Sequence, residues 1–306
     1  MSISVAVHGL GNIGCGVIDS LLASKDCVCL GVVRRAQSLG TRPFALRGVD
    51  EYASLDALLA AKGKPDVAVI CGPSRNAPDD AKHYMSKGIN TVDSFDIHTE
   101  IPRVVADLDA VAHAAGKTCI TAAGWDPGTD SVFRALFEAM TPVGTTFTNF
   151  GRGRSMGHSV AARAIDGVAN ACSITIPLGG GRHSRLVYVL PKANASFDDI
   201  CKRIAADPYF ASDPLDVRQV ASEEELAAVA DTSHGVLMER VGASGSTANQ
   251  HLRFDMRIDN PALTAQILVS CARAATRLEP GCYTLVDVPP MALLPGDRMK
   301  NIARLV

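Results

Sequence analysis

The sequence lacks an uncharged apolar run of about 18 residues, so no membrane-spanning helix is expected. It has no excess of one charge, with 30 basic and 32 acidic residues, which argues against whole-chain binding to nucleic acid or to an anionic membrane. The first residues carry no basic segment ahead of an apolar stretch, so we expect no signal peptide and a cytoplasmic protein. Apolar residues still make up 47% of the chain, which excludes wholesale disorder.

Paired metal-binding or disulfide-forming motifs are missing as well. The nine cysteines are an odd number, and none belongs to a Cys-x-x-Cys motif. Cys27 and Cys29 would share one face of a strand, so geometry alone leaves a metal-ligand role open for them. No cluster of other ligand residues supports that role, and we interpret the cysteines as reduced thiols without a metal site.

Strand and helix patterns alternate through the first 122 residues. Short apolar or β-branched segments predict strands, and apolar residues at helical spacing separate them. The predicted strands are Ile3–Val7, Cys27–Val33, Val67–Cys71, Asn90–Val92 and Thr118–Ala122. This order predicts a doubly wound parallel sheet, and therefore a Rossmann-type α/β domain over residues 1–122.

The pattern changes after Gly124. Strand patterns become longer and alternate less regularly with helices, which favours an α+β domain with an open antiparallel sheet over residues 123–264. The predicted strands are Thr145–Phe150, Ala171–Ile176, Arg185–Leu190 and His251–Ile258. Residues 265–306 begin within a long helical pattern, and we expect them to return to the first domain.

A glycine-rich segment lies between the first predicted strand and the first predicted helix. It matches the pattern Gly-x-Gly-x-x-Gly, in which the first glycine allows a tight turn and the second lets the backbone approach a pyrophosphate. Amides at the helix N-terminus then meet the phosphates. The alternative is a glycine turn without a ligand. We assign a dinucleotide-binding site to Gly9, Gly11, Asn12, Ile13 and Gly14.

The end of the second predicted strand indicates which dinucleotide binds. An NAD site carries Asp or Glu there, whereas this sequence has Arg34 and Arg35. Guanidinium groups can pair with a 2′-phosphate that a carboxylate would repel, which favours NADP over two solvated surface arginines. The segment that closes the next buried strand is assigned to the same site and consists of Cys71, Gly72, Pro73 and Ser74.

Four segments of the chain resemble meso-diaminopimelate dehydrogenases. They are Thr91–His98, Gly124–Gly128 (Gly-Trp-Asp-Pro-Gly), Gly151–Ser159 (ending Ser-Met-Gly-His-Ser) and His183-x-Arg185. The resemblance covers nearly the whole chain and implies a homodimeric, NADP-dependent enzyme of the lysine and cell-wall precursor pathway. The implied reaction is oxidative deamination of the D-centre of meso-2,6-diaminopimelate to L-2-amino-6-oxopimelate and ammonia, with the reverse reductive amination.

The resemblance also implies roles for individual residues. Asp96 and Asp126 each follow a short strand of the first domain, and they would hold the reacting ammonium. As a hypothesis of our own, one of the two relays a proton to solvent, with Asp126 favoured. Helix capping or turn formation is the ordinary alternative for such aspartates. Arg185 and Thr175 would bind the distal carboxylate within a domain used for substrate binding and dimerisation. The implied substrate contacts are Trp125, Phe150, Met156, Gly157, Thr175, Arg185, His234 and Asn249.

Departures from the family pattern leave the substrate open. Arg152 and Arg154 occupy positions where some relatives have Pro and Leu, and Met156 replaces a Gln. An insertion between Pro177 and His183 is also missing. A dehydrogenase of another D-amino acid, a 2-keto acid or a semialdehyde is therefore an alternative. A non-catalytic NADP sensor is the alternative from another class, although a sensor has no need for the polar residues named above.

Overall fold

A computed structural model describes residues 2–230 and 234–306, without the side chains of residues 156, 157, 160 and 234. The chain divides into two units, Met1–Val132 with Pro261–Val306, and Phe133–Asn260. The boundaries expected from the sequence fall at 122/123 and 264/265, and the binding roles assigned to the two domains stay predictions.

Strands and helices alternate along most of the chain. The first part contains β1 (Ile3–His8), α1 (Asn12–Ala23), β2 (Cys27–Val33), β3 (Glu51–Tyr52), α2 (Leu55–Lys62), β4 (Val67–Ile70), α3 (Ala77–Ser86), β5 (Asn90–Asp93), α4 (Ile101–Ala115), β6 (Thr118–Ile120) and α5 (Thr129–Met140). The central part contains β7 (Val143–Phe150), β8 (Gly153–Ser155), α6 (Met156–Ala164), β9 (Val168–Gly179), β10 (Arg182–Pro191), α7 (Phe197–Ala206), β11 (Leu215–Gln219), α8 (Glu223–Val229), β12 (His234–Ser244) and β13 (Thr247–Ile258). The last part contains α9 (Asn260–Ala275), β14 (Gly281–Tyr283), α10 (Pro290–Leu293) and α11 (Arg298–Leu305).

The strands of the first unit form one parallel sheet in the order β14-β6-β5-β4-β1-β2-β3. Side chains alternate between its faces, so that Val5 and Val7 pack in a cluster with α1 and α9, whereas Ala68 and Ile70 pack with α3 and α4. Helices cover both faces, which is how parallel sheets are stabilised. The predicted Rossmann-type fold is confirmed.

The second unit contains two sheets instead of a single open one. The first has the order β11-β10-β9-β8, and the second has the order β13-β12-β7. Every pair is antiparallel except β10 with β11, which is parallel. The α+β class is confirmed, and the parallel pair arises because α7 lies between its two strands in sequence. Gly180 and Gly181 form the turn between β9 and β10.

Helices complete the core of the second unit. Helices α6 and α7 pack against β9 and β10 around Val187, Ile200 and Phe210, and α8 covers the opposite side of the same sheet through Leu226. Helix α7 begins at a polar cap, because the Ser196 hydroxyl accepts a hydrogen bond from the Asp199 amide. Among the residues that the structure describes, no helix is long and apolar enough to cross a membrane.

Candidate active site

The predicted first-unit site residues follow five strands at one edge of the parallel sheet. The glycine loop follows β1, Arg34 and Arg35 follow β2, and Cys71–Ser74 follow β4. Asp96 and Asp126 follow β5 and β6. Because the strands are parallel, their carboxyl ends share one edge, where ligands of doubly wound sheets bind. The fold therefore brings the cofactor and aspartate candidates to the same edge.

The glycine loop has the geometry that a close phosphate approach requires. Gly9 has a φ of +94°, and a Cβ added at Gly14 would lie 2.2 Å from the Gly9 carbonyl oxygen, so larger residues are excluded at both positions. A Cβ added at Gly11 would meet no atom within 4 Å. Helix α1 begins at Asn12, and its first-turn amides point out of the helix N-terminus. The open space beside Gly11 therefore lies next to amide donors that can bind a pyrophosphate.

The loops after β1 and β4 contact each other through their backbones. The Cys71 amide donates to the His8 carbonyl at 2.7 Å, which places Cys71 and Gly72 beside the glycine loop. The His8 Nδ1 lies 3.0 Å from the Tyr84 hydroxyl, and its Nε2 lies 3.6 Å from an Asp80 carboxylate oxygen. Burial lowers the pKa of His8, although Asp80 opposes this effect. An imidazole with a lowered pKa therefore supports the loop without adding a full positive charge near neutral pH.

The structure distinguishes the two arginines that follow β2. Arg34 is 7% exposed in its side chain, and it donates to Glu51 Oε2 at 2.7 Å and to Thr41 Oγ1 at 3.0 Å. Arg35 is exposed. Arg34 therefore neutralises the carboxylate of Glu51 on the adjacent strand β3, whereas Arg35 presents its charge to solvent.

Sequence reasoning missed two residues near the cofactor loop. Glu51 belongs to a strand of two residues, which is too short for a periodicity signal. Arg42 donates from Nη1 to the Leu10 carbonyl at 3.1 Å, and so reaches back to the glycine loop from the segment after β2. The only sequence signal for Arg42 is that it is a third arginine within nine residues of Arg34.

A tight turn presents Asp126 beyond β6. Gly124 and Gly128 form a bridge, and a Cβ added at Gly128 would lie 1.9 Å from the Gly124 carbonyl oxygen. Trp125 is 5% exposed, and its carbonyl accepts from the Asp130 amide at the start of α5. Asp126 is half-buried and Asp96 is exposed. The two carboxylates thus belong to loops that follow neighbouring strands. The bridge between Gly124 and Gly128 holds the loop of Asp126.

In the second unit, Arg185 and Thr175 face each other across β9 and β10. Arg185 donates from Nη1 to the Thr175 hydroxyl and from Nε to an Asp213 carboxylate oxygen, each at 2.6 Å. Burial and the charge of Arg185 lower the pKa of both His158 and His183. Asp213 had no sequence signal, because it lies 28 residues from its partner. The structure therefore brings Arg185 and Thr175 together, and the carboxylate of Asp213 offsets the charge of Arg185.

Phe150 ends β7 beside His183. The Phe150 amide donates to His183 Nε2 at 3.1 Å, and the two rings stack with their centroids 6.2 Å apart. The neighbouring Asn149 is fully buried and bonds the backbone of Arg182 and Gly181. These contacts hold Phe150 against the start of β10, at His183, two residues before Arg185.

The three-stranded sheet does not bring Asn249 together with His234. The backbone of His234 pairs with Ile258, whereas Asn249 lies near the turn that joins β12 to β13, about 30 Å along the strand. Asn260, which begins α9 just after Ile258, is the asparagine at the His234 end of the sheet. An Asn-Pro pair that begins two residues after the predicted strand was the available signal for it. The side chains of His234, Met156 and Gly157 lie outside the described residues.

No group of three or more His, Cys, Asp or Glu residues that could hold a metal ion occurs among the residues described. A glycine loop on the carboxyl edge of a parallel sheet, followed by a second α+β unit, defines the class of two-domain proteins with a Rossmann-type dinucleotide-binding fold.

Comparisons with known proteins narrow this class to one family. Residues 124–181 match the model of the diaminopimelic acid dehydrogenase C-terminal domain. The chain is 47% identical over 304 residues to a meso-diaminopimelate D-dehydrogenase of Bacteroides fragilis, with 99% of both chains covered. It therefore belongs to the meso-diaminopimelate D-dehydrogenase family.

Solved structures of similar proteins agree with this assignment. One is a C. glutamicum DAP dehydrogenase in complex with DAP, with 28% identity, a TM-score of 0.78, and coverage of 100% of this chain and 99% of that one. Another is an engineered D-amino acid dehydrogenase bound to NADP+, with 26% identity, a TM-score of 0.72 and complete coverage of both chains.

Proposed function

We propose that the chain catalyses the NADP-dependent oxidative deamination of the D-centre of meso-2,6-diaminopimelate to L-2-amino-6-oxopimelate and ammonia, and the reverse reductive amination. The observation that carries the proposal is the position of Asp96 and Asp126 at the glycine-loop edge of the sheet, in a chain of this family. Two carboxylates beside a dinucleotide site suit a substrate whose reacting group is an ammonium.

NADP fits the residues at the end of β2. The carboxylate of Glu51, the nearest candidate for binding a ribose hydroxyl, is already paired with Arg34. Arg35 is exposed and suited to a 2′-phosphate, with Arg34 beside it. The amides of Asn12 and Ile13 would hold the pyrophosphate above Gly11. When bound there, NADP+ would supply the hydride acceptor for the D-centre carbon.

Asp96 and Asp126 bind the ammonium and orient the D-centre carbon. The nitrogen must lose a proton before hydride departs, and Asp126, the more buried of the two, relays that proton to solvent. Water then adds to the carbon of the resulting iminium, one of its protons passes to the nitrogen and the other to solvent, and ammonia leaves, so the water oxygen becomes the oxo group of the product. The family resemblance supports Arg185 and Thr175 as the residues that bind the distal carboxylate, and Trp125 and Phe150 as further substrate contacts.

We also propose a cytoplasmic homodimer. An NADP-dependent biosynthetic reaction takes place where the reduced cofactor pool is maintained, and nine free thiols suit a reducing compartment. The proposed dimer is supported by the family resemblance and by two exposed valines on one sheet face of the second unit, Val143 and Val241.

The test is an NADPH absorbance assay with meso-, LL- and DD-diaminopimelate and simple D-amino acids, using NADP+ and NAD+. We expect turnover of meso-diaminopimelate with NADP+, and a loss of at least about 100-fold in kcat for Asp126→Asn with NADPH binding unchanged. Asp79→Asn, on the exposed surface of α3, is the matched control and should retain activity. If no amino acid is turned over, the proposal is refuted. If simple D-amino acids are turned over faster, they replace meso-diaminopimelate as the proposed substrate.

A further inference from the structure

Asp93 is a carboxylate in an unusual position, at the end of β5 and 1% exposed. Its Oδ1 accepts three hydrogen bonds, from the Phe95 amide at 2.9 Å, the Thr121 hydroxyl at 2.8 Å and the Ala122 amide at 3.4 Å. Its backbone carbonyl accepts from the Ala123 amide at 3.0 Å. One residue therefore connects the segment after β5 to the segment after β6.

The two connected segments are those that present the candidate acids. Phe95 directly precedes Asp96, and Ala122 begins the loop that leads through Trp125 to Asp126. Ala122 has a φ of +53°, a left-handed conformation that is costly for a residue with a Cβ and needs support from its surroundings. The hydrogen bonds to Asp93 supply such support at the point where the chain leaves β6.

We propose that Asp93 is a positioning residue for the reaction proposed above, one whose carboxylate fixes the relative placement of the Asp96 and Asp126 loops. This inference rests on the proposed function for its catalytic consequence. Asp93 does not touch the substrate in this scheme, because it is buried behind both loops. A displacement of about 1 Å in either acid would be enough to lower turnover strongly.

No Lys, Arg or His among the described residues contributes to the pKa shift of Asp93. Its second oxygen, Oδ2, has no hydrogen-bond partner among the described residues. Burial raises the pKa of Asp93 to about 6, although the hydrogen bonds to Oδ1 oppose this effect. Three buried thiols interact electrostatically with Asp93. Burial raises the pKa of Cys71 and Cys271, and the neighbouring Cys282 thiol together with burial raises that of Cys119. None of these thiols titrates near pH 6.

The first test compares two threonines of similar burial. Thr121→Val removes a donor to Asp93, whereas Thr118→Val, at the start of β6, removes hydroxyl contacts to the carbonyls of Leu278 and Glu279. We expect Thr121→Val to lower kcat roughly tenfold with NADPH binding unchanged, and Thr118→Val to retain kcat while lowering the thermal midpoint. Equal kcat for both variants per folded molecule would overturn the proposal.

The second test changes Asp93 itself. Asp93→Asn keeps the Oδ1 acceptor and the side-chain shape, whereas Asp93→Ala removes the acceptor. We expect Asp93→Ala to lose roughly 100-fold in kcat, and Asp93→Asn to recover most of it at pH 8. Equal kcat values for the two folded variants would show that the carboxylate oxygen positions nothing.

A third measurement is independent of turnover, so the inference and the proposed function can fail separately. Trp125 is the only tryptophan and lies in the connected loop. We expect its fluorescence to change with a midpoint near pH 6 in the wild type, as protonation of Asp93 weakens its acceptor, and to lose this transition in Asp93→Asn. If the transition persists in Asp93→Asn, Asp93 does not control the loop that carries Trp125, and the proposal is overturned. Absence of turnover with this transition intact would refute only the reaction.

Discussion

At the scale of single residues, Arg34 and Arg35 are neighbours with different environments. Arg35 is exposed, so Arg35→Glu should raise the Michaelis constant for NADP+ about ten- to a hundredfold and leave that for NAD+ nearly unchanged. Arg34→Met should also lower the thermal midpoint, because it leaves the Glu51 carboxylate unpaired. Steady-state kinetics with both cofactors check this assignment. Equal losses for NADP+ and NAD+ in Arg35→Glu would contradict it.

At the scale of elements, one bidentate ion pair joins helix α9 to the turn between α1 and β2. Arg273 donates from Nε and Nη2 to the two carboxylate oxygens of Asp26 at 2.7 and 2.8 Å, and to the Ser24 hydroxyl at 2.7 Å. The hydrogen bond from Arg273 lowers the pKa of Asp26 to about 2. Because the folded-state pKa lies below the ordinary value, this stabilisation is present above about pH 4 and is lost as the pH falls through 2.

The consequence is measurable by urea unfolding at pH 7 and at pH 3. Arg273→Met should lower the free energy of unfolding at pH 7 by about 3 kcal/mol, since it leaves a partly buried carboxylate unpaired. It should also weaken the loss of stability at acid pH, because the pair contributes about 2 kcal/mol to that loss. Arg103→Met, which breaks exposed ion pairs with Glu100 and Asp107 at the start of α4, should leave the urea midpoint nearly unchanged. An equal effect of both substitutions would contradict the role of the buried pair.

At the scale of the whole molecule, the proposed homodimer should have twice the 32.1 kDa mass of the chain in sedimentation equilibrium. Val143 and Val241 are 71% and 48% exposed, and the register of β7 and β12 places them on one sheet face. Val241→Lys should weaken the dimer through an unpaired charge, whereas Leu22→Lys, on the exposed side of α1, should not. A wild-type chain of monomer mass at micromolar concentration would contradict the dimer.

The Rossmann-type unit and the edge that holds its site could be read from the sequence. Parallel strands are buried on both faces, so they appear as short apolar runs such as Val67–Ile70, and a glycine loop follows only one of them. Once the strands are known to be parallel, Arg35, Asp96 and Asp126 must share an edge. The second unit was less predictable, because its long strands pair in two sheets and periodicity does not identify strand partners.

By itself, the sequence determined which residue types stand after each strand, because local periodicity and glycine positions depend only on neighbours along the chain. The tertiary structure alone decided what those residues contact. Arg34 pairs with Glu51, and Arg185 with Asp213, across separations that no local pattern records. Asn249 carries the same amide as Asn260, yet strand register places only Asn260 at the His234 end of the sheet. Register and side-chain pairing are settled by packing between distant segments, and that information exists only when the chain is folded.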